Sequence, residues 1–122
     1  MNIHEKLNYV EFAARDLPAT KKFFSAVFDW EFADYGPEYA AFSNQGLDGG
    51  FFKADLSNQT SSGGALLVFY SADIQSTLQK VIDNGGVIIK PLFDFPGGFR
   101  FHFTEPGGNE FAVWSEESGV NA

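Results

Sequence analysis

The segment 8–30, NYVEFAARDLPATKKFFSAVFDW, returns in paler form at 65–87 as ALLVFYSADIQSTLQKVIDNGGV. Setting Asp16 on Asp73 brings Leu17 onto Ile74, Thr20 onto Thr77, Phe24 onto Val81 and Trp30 onto Val87. One offset serves every pair, so the chain reads as a tandem repeat. Each copy opens with a half-polar strand, turns at an Asp into an apolar-striped helix, and is followed by short strands. The expected fold is therefore α+β: two tandem β-α-β-β-β modules whose curved sheets form a cleft.

In chain order, the first strand is expected at 7–13. Alternation there puts Tyr9 and Glu11 on one face and Val10 and Phe12 on the other, under a covering helix. Asp16 can accept from the free amides of the first helical turn, which Pro18 also suits. The helix, at 18–28, carries Phe23, Phe24, Val27 and Phe28 as its apolar stripe. Strands at 30–35, 39–43 and 49–54 follow, divided at Gly36-Pro37 and Asn44-Gln45-Gly46. A polar stretch rich in Ser and Gly, about 56–64, links module one (about 7–55) to module two (about 65–116) within one domain, 1–122.

Module two is expected to run as a strand at 65–70, a helix at 74–84 capped by Asp73 and ended by Gly85-Gly86, and strands at 87–92, 99–104 and 110–115. Turns at Pro96-Gly97-Gly98 and Pro106-Gly107-Gly108-Asn109 separate the last three. Phe99, Phe101 and Phe103 share one face, and Arg100, His102 and Thr104 the other. In the last strand Phe111 and Val113 oppose Glu110, Ala112 and Trp114. Paired glycines, Gly49-Gly50 among them, read as turns and caps, since none opens a helix with a phosphate-cradling pattern.

Composition narrows the function classes. A net charge of −8 with only eight Lys and Arg offers no basic stripe for nucleic acid. With no Cys, disulfides and thiolate chemistry are excluded. No apolar run reaches the ~18 residues of a membrane span, and no signal peptide precedes the first strand, so a soluble cytoplasmic protein is expected. Phe is abundant, at 15 residues, and aromatics make up 17% of the chain. Most should fill the core, leaving a minority to line a cavity for a planar or apolar ligand.

Five side chains are candidates for binding: Tyr9, Glu11, Tyr70, His102 and Trp114. Glu11 lies mid-strand beside Tyr9 on the cleft face, as a base, as an anchor for a cationic group, or paired with Arg100 or a backbone amide. His102 shares its face with Arg100 and Thr104, as a general acid or base or as a cleft-wall histidine held by hydrogen bonds. Tyr70 and Trp114 would form an aromatic wall or pack as core. His4, in the polar lead-in, reads as a surface histidine.

A β-α-β-β-β unit occurring twice resembles the vicinal oxygen chelate superfamily of glyoxalase I, bleomycin-resistance proteins and extradiol dioxygenases. The likeness rests on Asp16-Leu17…Phe23-Phe24…Phe28-Asp29-Trp30 and on Glu105-Pro106-Gly107-Gly108-Asn109-Glu110-Phe111. These are similar to the family's D-L-x-x-x-x-x-F-Y-x-x-x-F-G-W segment and its D-P-x-G-N turn. The resemblance implies a cleft built from two paired modules, commonly in a homodimer. In metal-dependent members it also implies four ligands, His, Glu, His and Glu, holding a cation that binds two substrate oxygens. Those positions fall here on Tyr9, near Gly50, on Leu66 and on Ala112, which all depart from the pattern. The expectation is a cleft that binds a small aromatic or cationic molecule with no metal and no cofactor, similar in logic to the bleomycin-resistance proteins. The alternatives are a lyase, isomerase or dioxygenase with a relocated metal or a Glu11/His102 acid–base pair, and a non-catalytic structural or regulatory dimer.

Overall fold

The computed structural model describes residues 2–119. Module one comprises β1 (Tyr9–Ala14), α1 (Leu17–Phe28), β2 (Phe32–Asp34), β3 (Tyr39–Phe42) and β4 (Asp48–Lys53). A 3-10 turn, Thr60–Ser62, interrupts the link to β5 (Leu67–Tyr70), α2 (Ile74–Asp83), β6 (Val87–Phe95), β7 (Gly98–Thr104) and β8 (Glu110–Ser115). The sheets run β1-β4-β3-β2 and β5-β8-β7-β6, with β1 parallel to β4 and β5 parallel to β8. The two orders are the same order repeated, as the sequence offset requires.

The repeat holds in detail up to the helix ends. Asp16 and Asp73 both cap, accepting from Ala19 N at 3.1 Å and Ser76 N at 3.3 Å. Leu17 and Ile74, Thr20 and Thr77, and Phe24 and Val81 are buried in equivalent places. The fifth pair diverges: Trp30 is buried while Val87 is exposed. Helix α1 closes on Asp29 in the left-handed conformation, and Trp30 N reaches back to Phe24 O. That closure folds the Trp30 ring onto Phe24, with centroids 4.5 Å apart. It also shortens β2 to three residues.

The strand expected at 87–92, which already took in Pro91, continues past Leu92 to Phe95. β6 lies at the edge of its sheet, where a missing N–H breaks no outer ladder, and register shifts flank Pro91 between Ile88 and Phe93. Gly49 and Gly50 are likewise strand residues, not a turn. A Cβ on Gly49 would meet Val10 and Phe42 side-chain atoms, and one on Gly50 would collide with the Tyr39 ring. Glycine is required there by close approach.

Helix α1 serves both sheets. Phe24 stacks on Phe51 of β4 and meets Phe111 of β8 edge-on, at 5.5 and 5.3 Å, while Phe28 stacks on Phe69 of β5 at 4.1 Å. Phe12 joins Phe51 to Phe111 from β1. A polar seam lies beside this core. Thr20 Oγ1 donates to Glu105 Oε2 at 2.7 Å, and Asn109 Nδ2 donates to the Ala13 carbonyl at 2.8 Å. Asn109 Oδ1 in turn accepts from Asn58 N at 2.7 Å. Glu105 is only 2% exposed, and burial pushes its carboxyl up against the opposing pull of those donors. The Glu-Pro-Gly-Gly-Asn turn is thus the rivet between modules.

Two substitutions check this arrangement by urea denaturation. Phe24→Ala, which empties a fully buried ring site, should cost about 3–5 kcal/mol and leave one unfolding transition, because both sheets lean on it. Asn109→Ala should cost about 1–3 kcal/mol by orphaning the Ala13 carbonyl and Asn58 amide.

Candidate functional site

On the open face of the first sheet, β1 and β4 set Tyr9 beside Asp48 and Glu11 beside Gly50. Tyr39, from β3, leans across the space that Gly50 leaves. Its hydroxyl lies 2.6 Å from that of Tyr9. Burial first, then hydrogen bonds to Tyr9 and Glu11, hold the Tyr39 phenol well above its ordinary range. Tyr9 and Glu11 themselves are exposed. Glu11 is therefore neither buried nor paired with Arg100; its partner is Tyr39.

The open face of the second sheet carries the other cluster. His102, 6% exposed, accepts at Nε2 from Arg100 Nε at 3.1 Å. Arginine only donates, so the His102 proton sits on Nδ1. That nitrogen faces Glu110 Oε2 at 3.5 Å and has no well-formed hydrogen bond. Glu110 takes 2.8 and 3.0 Å bonds from Thr60 N and Oγ1. Burial alone would raise the Glu110 carboxyl, but the Thr60 bonds and His102 outweigh it and hold it low. Burial lowers His102, Arg100 and Lys90 add to that, and Glu110 offsets part of it. Alongside, Tyr70 and Trp114 pack edge-to-face at 5.1 Å, and Phe95 meets Trp114 at 6.3 Å.

The five candidates thus fall into two groups: Tyr9 and Glu11 joined through Tyr39, and Tyr70, His102 and Trp114 on the second sheet. The carboxylate that meets His102 is Glu110, which was not singled out in the sequence. It could have been: closing 99–104 on 110–115 as a hairpin sets Thr104 opposite Glu110, hence His102 diagonal to it. Tyr39 had a fainter signal, in the paired glycines within a strand. Thr60 had none, lying in a polar linker.

An open cavity of about 510 Å³ lies beside Tyr9, Phe32 and Asp48 on the first sheet. A second, aromatic-lined cavity, the main one of the cleft, opens between the unpaired edges of β1 and β5, has a volume of about 440 Å³, and is floored by Phe12, Trp30, Phe42, Phe69 and Phe111. Val10 and Leu67 also line a smaller cavity that includes Glu11, and Val68 joins the main one to a niche of about 310 Å³ beside Arg100 and Trp114.

A profile of the Glyoxalase/Bleomycin resistance protein/Dioxygenase superfamily matches residues 6–113. The chain belongs to this superfamily. No curated protein sequence matches it significantly. The fold is similar to that of a glyoxalase-related enzyme from Fulvimarina pelagi (14% identity, 91% of this chain and 88% of that one, TM-score 0.75). It is also similar to a glyoxalase/bleomycin resistance protein/dioxygenase family enzyme from Burkholderia phytofirmans (17% identity, 90% and 98% covered, TM-score 0.74). A lactoylglutathione lyase from Agrobacterium tumefaciens shares the fold too (17% identity, 91% and 93% covered, TM-score 0.67).

The residues at the superfamily's metal positions do not fit a divalent ion. Gly50 and Ala112 offer no donor, Leu66 is a half-buried aliphatic side chain, and the Tyr9 phenol is engaged with Tyr39. Among the described residues, no three His, Asp or Glu side chains come together as a ligand set. Nor is any described helix long and apolar enough to cross a membrane.

Three buried groups set the acid response, and Glu105, held high by burial, opposes the other two by gaining stability as pH falls toward 4.5. Below the ordinary 6.5 of imidazole, the unfolded chain gains a proton that folded His102 resists, so the His102 contribution is full above 6.5 and falls as pH drops below it. Glu110, held low, adds a second loss as pH falls below 4.5. Melting curves of the parent across this range should show both losses, the upper one made shallower by Glu105. His102→Gln should flatten the upper step and keep the lower.

Proposed function

We propose that this chain is a small-molecule-binding member of its superfamily, which holds a planar aromatic ligand in the cleft between β1 and β5 and does so without the family's metal centre. The observation that carries this reading is the aromatic-floored cavity of about 440 Å³, within the volume range of small-ligand pockets. Its polar groups stand at the margins, Glu11 in the adjoining cavity and Tyr70 at the rim, as orienting groups do around an apolar pocket. The ligand arrives as a ring that stacks on Phe and Trp faces, displacing water from apolar walls. The family's usual homodimer is part of the same reading: Leu7, Tyr9, Val68 and Tyr70 stand exposed beside the two inner edges, where a second copy would cover them. A cytoplasmic location completes it.

One observation favours a second reading, an acid–base lyase or isomerase: His102 and Glu110 approach within 3.5 Å. The Arg100 donor on His102 Nε2 opposes it, because the lone pair needed to take a substrate proton is already engaged.

Two measurements test the proposal. Naphthol should quench the fluorescence of Trp30 saturably, and Leu47→Trp, which fills the cavity mouth, should weaken binding by about tenfold or more while leaving the melting temperature nearly unchanged. Lack of saturation by naphthol would sink the reading. Protein purified without a tag or chelator should take up no stoichiometric Ni, Zn, Mn or Fe and show no thermal shift with them. One bound ion per chain with a rise in melting temperature would overturn the metal-free part. Turnover lost in both His102→Ala and Glu110→Gln would establish the enzyme instead.

A further inference from the structure

We infer that the ligand of this cleft is an aromatic carboxylate, its ring in the main cavity beside Val68 and Tyr70 and its carboxylate in the adjoining niche on the guanidinium of Arg100. The inference rests on the small-molecule reading above and names the chemical class that the site selects. Arg100 is half-buried on β7, set opposite Phe93 on one side and Trp114 on the other. Only its Nε is engaged, on His102, while its guanidinium carbon lies 5.5 Å from the centre of the Phe95 ring. Arginine carries five N–H donors. Among the described residues, no acceptor takes those on the two terminal nitrogens, and no carboxylate lies within ion-pair reach.

Arg100 differs in this from the other arginine, Arg15, which pairs with Asp55 at 3.4 Å. Two of the acids nearby, Glu110 and Glu116, are committed elsewhere, while the charge of Glu117 bears on Tyr70. Glu110 is held by Thr60 and faces His102, and Glu116 accepts the Tyr70 hydroxyl at 3.4 Å. Lys90, opposite His102, adds a second positive charge to the same face. The niche of about 310 Å³ that Arg100 lines is walled by Trp114, Phe95 and Val68, and Val68 also lines the main cavity. A ring in the main cavity therefore presents a carboxylate past Val68 to the N–H fork of Arg100, the geometry that arginine matches bidentately. A cation in the same place would meet the guanidinium head-on.

The fork is also held in place. Thr60 fixes Glu110, Glu110 faces the His102 Nδ1–H, and His102 Nε2 takes the inner N–H of Arg100. His102 is thus a positioning residue for Arg100, and the orientation is set before the ligand arrives.

Calorimetric titration with three probes of one shape decides it: naphthoate, naphthamide and naphthylmethylammonium. The parent should bind naphthoate at least about tenfold tighter than the amide, as one charge-assisted pair implies, and the ammonium weakest. Arg100→Gln should bring acid and amide to parity with amide affinity unchanged, and Arg100→Lys should restore part of the preference. His102→Gln should reduce the preference without altering amide binding. Equal affinity for acid and amide in the parent, or tightest binding of the ammonium, would overturn the carboxylate and leave small-molecule binding standing. Undiminished naphthoate affinity in Arg100→Gln would overturn the role of Arg100. Failure of all three probes to bind would overturn this inference and the parent reading together.

Discussion

The ring of Phe24 sits at the point where the two modules meet, and the rest of the structure follows from how it is packed. It is fully buried and touches rings from β4, β5 and β8 as well as Trp30 from its own module. A β-α-β-β-β unit is too small to bury one helix and one sheet to useful density by itself. Sharing α1 between both sheets solves that problem. The sheets are then joined by their faces through the core, so their inner edges, β1 and β5, need not hydrogen-bond to each other. The gap between those edges is the cleft, and its aromatic floor is the visible side of the same core. Core and candidate site are therefore one packing arrangement, with Phe12 and Phe111 belonging to both.

The superfamily's metal positions have not simply lost their donors; their space has been reassigned. Gly50 makes room for Tyr39, which binds the phenol of Tyr9 from across β4. Ala112 is buried between Val68 and His102 in the sheet register. Where a cation would polarise two substrate oxygens, the chain now has phenols on one sheet and an imidazole-held guanidinium on the other. Lewis-acid chemistry needs several anionic or imidazole donors converging on one point. Here the ionisable groups pair among themselves: Tyr9 with Tyr39, and Arg100 with His102.

How much of this the sequence shows depends on the range of the interaction. Capping by Asp16 and Asp73, the helix stripes and the alternation of Phe101 and Phe103 against His102 are local, and each stands where the pattern puts it. Strand length was harder to read: nothing local shows that β6 runs past Leu92 to Phe95, where it pairs with the start of β7. The Gly49-Gly50 pair misled for a related reason: glycine marks a turn and a close approach equally well, and only the Tyr39 ring decides between them. In the site, faces were legible and partners were not. Alternation put Glu11, Tyr9, His102 and Arg100 on open faces. That Glu11 answers to Tyr39, and His102 to Glu110 and Thr60, depends on contacts between elements that no local spacing encodes.

Thr60 shows what a linker can contribute. The Ser- and Gly-rich stretch looks like a tether, yet its backbone is stitched to β8: Asn58 O accepts from Glu110 N, and Gln59 Nε2 donates to Gly108 O. This places the Thr60 amide and hydroxyl on one carboxylate oxygen of Glu110. A buried carboxylate with two such donors stays ionised at low cost, and its charge favours the proton on His102 Nδ1 over Nε2. The tautomer leaves Nε2 free to accept from Arg100. A loop that covers no substrate thereby sets the hydrogen-bond polarity of a side chain two residues along β7 from His102. The alternative tautomer would turn a donor on Arg100 and swing the guanidinium away from Phe95. The linker between modules is in this sense part of the site.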